Sequence, residues 1–239
     1  MIGAPLLAVE GLHMMFGGLV ANRNISFSVG EGQIIGLIGP NGAGKTTLFN
    51  CLAGYYTPSA GTIHFNGVAV GRQTPEDAAR RGIARTFQIV RIFPEMTVLE
   101  NVMVGAMLRT KKVGAALAAA ENELVFIGLD HRRDVKAAQL TVSEQKRLEV
   151  ARALATRPRL ILLDEVMAGL TPTEVRESSQ MVVRIRDRGI SSIIVEHVME
   201  GIMPISDRII VLDAGVKIAE DAPAAIARNP AVIAAYLGE

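Results

Sequence analysis

The chain has 239 residues and a formal net charge of +1, and 49% of its residues are hydrophobic, 21% charged and 4% aromatic. That length holds a well-buried core, as one large domain or a core with one sizeable insertion. A lone cysteine, Cys51, excludes an intramolecular disulfide framework and a cysteine-rich metal site, and near-balanced charge excludes bulk attraction to nucleic acid.

At the N-terminus, MIGAPLLAVEG lacks the basic-then-apolar pattern of an export leader. No apolar run anywhere approaches the roughly 20 residues of a membrane span, so a soluble chain is expected. Gly and Pro punctuate the first third, and the runs LLAVEGL, ISFSV, QIIGLIG and TIHFNGVAV between them read as strands. From Thr97 to Leu154 the sequence turns rich in Leu, Ala, Met, Glu and Lys, which favours helices. GAALAAAENELVFIGL is a helix closed by Gly128. After Pro158, RLILLDE reads as a buried strand. EVRESSQMVVRIRDRG then puts Val175, Met181, Val182 and Ile185 on one helical face and ends at Gly189. SSIIVEH is another buried strand, RIIVLDAGVKIAED a hairpin turning at Ala214-Gly215, and Asn229 with Pro230 caps a last helix. Strands alternating with helices imply a parallel α/β sheet, here interrupted by a helical insertion. No internal repeat or long linker is evident.

Gly39-Pro-Asn-Gly-Ala-Gly-Lys45-Thr46 fits G-x-x-x-x-G-K-[ST], directly after the strand IIGLI and before the helical TTLFNCLAG. Its glycines, Gly39, Gly42 and Gly44, let the backbone wrap an anion and aim N–H groups at it. The helix beginning near Lys45 adds its positive end, Lys45 supplies a point charge for the β- and γ-phosphates, and Thr46 can hold Mg²⁺. Asn41, Ala43 and Thr47 complete the cradle. A second acidic centre, Asp164-Glu165, ends the strand RLILL at the sheet's carboxyl edge, where α/β proteins place ligands. Asp164 can reach the metal through water, and Glu165 is placed to polarise an attacking water.

With these two centres in place, the sequence resembles the ATP-binding subunit of an ABC transporter from end to end. Phe16 stands where that family stacks adenine. Gln88, in ARTFQ, matches the glutamine that touches Mg²⁺ and the reacting water. LTVSEQKRLEVARAL matches the signature segment, and His197, in EHV, matches the histidine that contacts the γ-phosphate. His13, His64 and His131 match nothing. The resemblance implies a RecA-like P-loop NTPase core, residues 1–87 and 156–239, with an N-terminal antiparallel β region. A helical subdomain, residues 88–155, is inserted into that core, and all 239 residues form one cassette. It also implies Mg-ATP hydrolysis in a dimer with a second ATPase subunit, identical or different.

Two places depart from the family pattern. Thr141-Val142-Ser143-Glu144 stands where the family has Ser-Gly-Gly-Gln, and it also fits the capping box [ST]-x-x-E. A helix N-terminus is therefore retained, but Ser143 adds a Cβ where backbone and phosphate approach closely, with its hydroxyl as a substitute donor. Ala168-Gly169-Leu170-Thr171 ends in Thr where the family often has Asp. RTFQIVRIFPEMTVLENVMVGA, AGLTPTE and ISDRIIVLDAGVKIAEDAP look most like the ATPases of branched-chain amino-acid importers. That implies integral-membrane permease partners, an indirect solute-binding protein, no nucleic acid, and a peripheral place on the cytoplasmic face of the inner membrane. Ile89, Val90, Ile92, Phe93 and Met96 offer an apolar groove for a permease helix. Other readings stay open: an importer ATPase for another small polar solute, a weakly hydrolysing regulatory subunit, and a soluble ABC ATPase of DNA repair or translation.

Overall fold

Runs of Ile, Leu and Val without charges build strands that must be covered on both faces, and the chain order supplies the covers. The computed structural model describes residues 4–237. Met1–Gly3, part of the segment read as carrying no export leader, and Gly238 with Glu239 lie outside the described residues. Strands β1 (Leu7–Phe16) and β2 (Leu19–Val29) form a hairpin through Gly17 and Gly18, and β3 (Ile34–Ile38) follows, buried at every residue. Helix α1 (Lys45–Leu52) leads to β4 (Ala60–Phe65), β5 (Val68–Ala69), α2 (Pro75–Arg81) and β6 (Ile83–Arg85). The helical stretch holds α3 (Val98–Ala106), α4 (Val113–Ile127) and α5 (Val142–Ala155). Then come β7 (Leu160–Asp164), α6 (Pro172–Asp187), β8 (Ser191–Val195), α7 (Met199–Ile202), β9 (Arg208–Asp213), β10 (Val216–Asp221), α8 (Pro223–Ile226) and α9 (Pro230–Leu237).

Two sheets result. One has the order β2-β1-β4-β5 and is antiparallel. The other has the order β10-β9-β3-β8-β7-β6 and is parallel except at its β10 edge. Alternation along the parallel strands divides the core in two. Ile35, Leu37, Leu162, Ile193 and Val195 pack with α1 and the antiparallel sheet. Ile34, Ile38, Ile161, Leu163 and Ile194 pack with α3, α5 and α6. No helix among the described residues is long and apolar enough to cross a membrane.

Local chemistry accounts for the boundaries. Helices α2, α3, α5 and α6 each begin on a threonine whose hydroxyl accepts the N–H three residues on, while the acid there bonds back. Gly128 closes α4 in the left-handed region, as its sequence predicts. The Asn229 side chain accepts the Ala231 N–H at the start of α9, and Val175, Met181, Val182 and Ile185 are the buried face of α6. Three details differ from the sequence reading. TIHFNGVAV is two strands, because Asn66 and Gly67 take φ values of 52° and 74° and turn the chain back on itself. LLAVEGL and ISFSV are the inner halves of longer strands that run out to Phe16 and back from Leu19, stabilised by pairing with each other rather than by local hydrophobicity. The edge strand β6 is too short to show in the sequence and exists because it pairs with β7.

Candidate functional site

The turn from β3 into α1 is made where the backbone leaves no room for side chains. A Cβ on Gly39 would stand 2.0 Å from the Leu212 carbonyl oxygen. Gly44, at φ 92°, starts α1 with no side-chain cap, and a Cβ there would meet the Ala21 oxygen at 2.4 Å. The N–H groups of the first turn of α1 therefore remain available to an anion, with the helix dipole behind them. The Lys45 ammonium donates to the carbonyls of Gly39, at 2.6 Å, and Pro40, at 2.9 Å, which holds it over the loop. Burial lowers its pKa, and Glu165 and Asp164 pull it back up.

A cleft of about 600 Å³ opens over this turn. Asn41, Gly42, Ala43, Gly44, Lys45, Thr46 and Thr47 form its floor, with Phe16, Gln88 and Glu165 on its walls. Phe16 is 41% exposed and stacks edge-to-face on Tyr56, with ring centroids 5.1 Å apart, so one face is left for a planar ligand. Glu165 follows β7 with φ 52°, a left-handed conformation that strains a residue with a Cβ. That twist turns its carboxylate into the cleft. Gln88 Nε2 donates to Glu165 Oε2 at 3.2 Å, and His197 Nδ1 lies 3.8 Å from Glu165 Oε1. Residues remote in sequence thus converge on one carboxylate.

Asp164 is held differently. It is buried at the tip of β7, and its Oδ2 accepts from Arg85 Nη2 at 3.1 Å, while its own N–H donates to Thr86 Oγ1 at 3.0 Å. Arg85 also donates to Asn50 Oδ1 on α1 and lies against the rings of Tyr55 and Phe87. Burial raises the Asp164 carboxyl and lowers the Arg85 guanidinium, each shift being opposed by the partner's charge. Thr46, Gln88 and Asp164 border a common recess of about 350 Å³ beside the cleft. Sequence reasoning missed Arg85, which ends a three-residue strand and meets its acid 79 positions away, so no local signal marks it.

Thr141, Ser143 and Glu144 lie elsewhere, and within this chain they do not meet the cleft. The Thr141 hydroxyl accepts the Glu144 N–H at 3.3 Å, and the Glu144 carboxylate accepts the Thr141 N–H at 2.9 Å and the Arg132 Nε–H at 3.0 Å. Burial pushes Glu144 up, but the Thr141 N–H and the Arg132 guanidinium together hold it below the usual carboxylate range. Ser143 lines a separate cleft with Arg147 and Glu174. Thr171 is the N-cap of α6, its hydroxyl accepting the Glu174 N–H, so T-P-T-E is a capping box that sequence reasoning left unread. Of the apolar residues after Gln88, Ile92 and Phe93 line a groove of about 540 Å³ with Tyr55, Phe87, Arg91 and Arg152, while Val90 and Met96 do not reach it. Ile89 stands free at 82% exposure.

Comparison with known proteins agrees with this geometry. The family model for the ABC transporter matches residues 22–168, and that for the branched-chain amino acid ATP-binding cassette transporter matches residues 216–239. The chain is 43% identical to the high-affinity branched-chain amino acid transport ATP-binding protein LivG of Salmonella typhimurium, over 98% of each chain. It is 39% identical to BraF of Pseudomonas aeruginosa, again over 98% of each. Among solved structures, a nucleotide-free ATP-binding cassette from an ABC transporter superimposes with a TM-score of 0.90 at 30% identity, covering 99% of this chain and 100% of that one. The ADP conformation of the cassette MJ1267 gives a TM-score of 0.89 at 30% identity over the same shares. This chain belongs to the ABC transporter family, among the ATP-binding proteins of branched-chain amino acid transport.

Proposed function

We propose that the chain hydrolyses Mg-ATP to drive a branched-chain amino acid importer, working as a peripheral subunit on the cytoplasmic face of the inner membrane. The observation that carries this reading is the single cleft in which the phosphate cradle, Gln88 and Glu165 face one another. Lys45 and the turn of residues 39–47, with the free N–H groups at the start of α1, hold the phosphates, and Phe16 stacks the adenine. Thr46, Gln88 and Asp164 line one recess, and their hydroxyl, amide and carboxylate oxygens, Asp164 acting through water, are the hard donors that Mg²⁺ takes when phosphates and water supply its remaining ligands. That ion would neutralise charge on the terminal phosphates. Glu165 orients or deprotonates the attacking water, with Gln88 fixing one carboxylate oxygen and His197 steadying the γ-phosphate.

The cassette acts as a dimer with a second ATPase subunit, identical or different, the segment 141–144 of one subunit closing over the nucleotide of the other. Residues 88–155 are its helical subdomain. The groove of Ile92, Phe93 and Phe87 takes a cytoplasmic helix of the permease, which in turn meets a solute-binding protein. The cap on α5 weakens the closing face without abolishing it, since Glu144 places a carboxylate near the approaching phosphate but is tied to Arg132.

Glu165→Gln tests the reading. Turnover should fall by about 10²–10⁴-fold while ATP stays bound. Unchanged turnover would leave a regulatory subunit as the better account. Co-purification with membrane permeases separates an importer subunit from a soluble ATPase.

A further inference from the structure

On one face of α5, beside Arg152, whose guanidinium pairs with Glu149 at 3.6 Å and donates to the Arg91 carbonyl, Lys146 and Glu149 stand three residues apart and are therefore neighbours on the helix surface. Each reaches across to a different arm of the cleft. The Lys146 ammonium donates to the carbonyl of Glu165, at 2.7 Å, and to that of Ala168, at 2.6 Å. The Glu149 carboxylate, on a residue only 3% exposed, accepts the N–H of Phe87 at 3.2 Å on one oxygen and that of Arg91 at 3.0 Å on the other. These two N–H groups flank Gln88. Neither contact is explained by the packing of α5, whose apolar side chains already bury it.

The two grips meet at the reacting group. Glu165 sits in a left-handed conformation that its Cβ disfavours, and Lys146 holds the carbonyl of that same residue. On the other side of the turn, the Glu165 N–H donates to the Val195 carbonyl at 2.9 Å, and Glu196 accepts the Met167 N–H at 2.5 Å. The segment 165–168 is thus held at its N–H groups by the end of β8 and at its carbonyls by α5. Gln88, whose loop Glu149 clamps, donates to the Glu165 carboxylate at 3.2 Å.

We propose that Lys146 and Glu149 are the positioning residues of the Gln88–Glu165 pair, setting its separation from a single face of α5. Neither touches substrate. A shift of α5 moves both arms at once and opens or closes the gap in which the attacking water is held, so the helix that begins at Thr141 governs hydrolysis at this chain's own cleft. The inference rests on Glu165 as the group that activates water.

The test is steady-state ATPase and nucleotide affinity of the assembled transporter carrying Lys146→Met, Lys146→Arg or Glu149→Gln. Lys146→Met should lower kcat about 10- to 100-fold, the scale of a misplacement near 1 Å, and leave KM and the Kd for a fluorescent ATP analogue within about twofold. Lys146→Arg, which keeps a cation able to reach both carbonyls, should recover most of kcat. Glu149→Gln keeps one acceptor and should fall between them. If Lys146→Met fails to assemble, Glu149→Gln and Lys146→Arg decide: the first lowering kcat alone with the second near wild type supports the assignment. Equal losses in kcat and affinity, or no rescue by arginine, would make these side chains merely structural and overturn it. Glu165→Gln run alongside separates the two failures. If that variant keeps its turnover, the underlying reading of Glu165 is at fault; if it alone loses turnover, the α5 assignment is.

Discussion

Two helix N-termini in this chain answer the same sequence pressure in opposite ways. Helix α1 begins on Gly44, left-handed and without a side-chain cap, so its first-turn N–H groups face the cleft unspent. Helix α5 begins on Thr141, whose hydroxyl takes the Glu144 N–H while Glu144 takes the Thr141 N–H. A helix end that binds an anion has to keep its donors free and accept the loss of a cap. A helix end closed by a capping box has satisfied two of its four free donors and set a carboxylate beside the others. The contrast teaches that, on the proposed reading, α1 offers the stronger anion site, while α5 gives up two of its donors for a cap and keeps a weaker one.

The largest effects should come from the cleft side, where charges are buried and held by each other. Replacing Arg85 with Met leaves Asp164 buried and unpaired, at side-chain exposures of 7% and 2% for the pair, and should cost about 3–5 kcal/mol in urea unfolding. A loss no larger than that of a helix cap would break the comparison. Next, Lys45→Ala should weaken ATP binding to the isolated chain by about 3 kcal/mol, on the order of 100-fold, because a partly buried cation facing phosphate is lost. The matching change at the capped end, Thr141→Ala, should leave that affinity within about twofold and instead lower stability by about 1 kcal/mol, seen as a Tm drop of roughly 2–4 °C. Ser143→Gly should raise the ATPase rate of the assembled transporter by about two- to fivefold, the equivalent of ~0.5–1 kcal/mol at a helix end. Equal rates would show the added Cβ to be neutral there.

The smallest effect is one of pH. Glu144 is held below its ordinary value, so the stability it contributes is complete above the unfolded glutamate pKa and is lost as pH falls through the lowered one. Urea midpoints for wild type and Glu144→Gln should therefore converge as the solution is made acid, because the titrating carboxylate is what the variant lacks. A gap that widened toward low pH would remove the capping box as its source.

Much of this was legible locally. The P-loop could be read because Gly39, Gly42 and Gly44 in a strand-to-helix turn leave few other uses for that pattern, and the tip acids because they end an all-apolar strand. The capping box at Thr141 was equally plain, since its partners are three residues apart. The same pattern at Thr171 is as local, its hydroxyl and the Glu174 carboxylate being three residues apart. Arg85, Lys146 and Glu149 were not legible in this way. Each makes its contact with a residue at a separation of 19 to 79 positions, and a lone charged residue gives no sign of such a partner.

By itself the sequence determined the alternation of strand and helix, the anion-binding turn and the acidic tip, since these depend on periodicity, glycine conformations and neighbours along the chain. Only the tertiary structure decided which side chains hold those parts in place. Sheet order brings β6 beside β7 and so sets Arg85 on Asp164, and the packing of α5 against the sheet sets Lys146 and Glu149 on the backbone of Glu165 and of the loop around Gln88. Hydrogen bonds of that kind reward closeness in space, which a linear pattern does not encode.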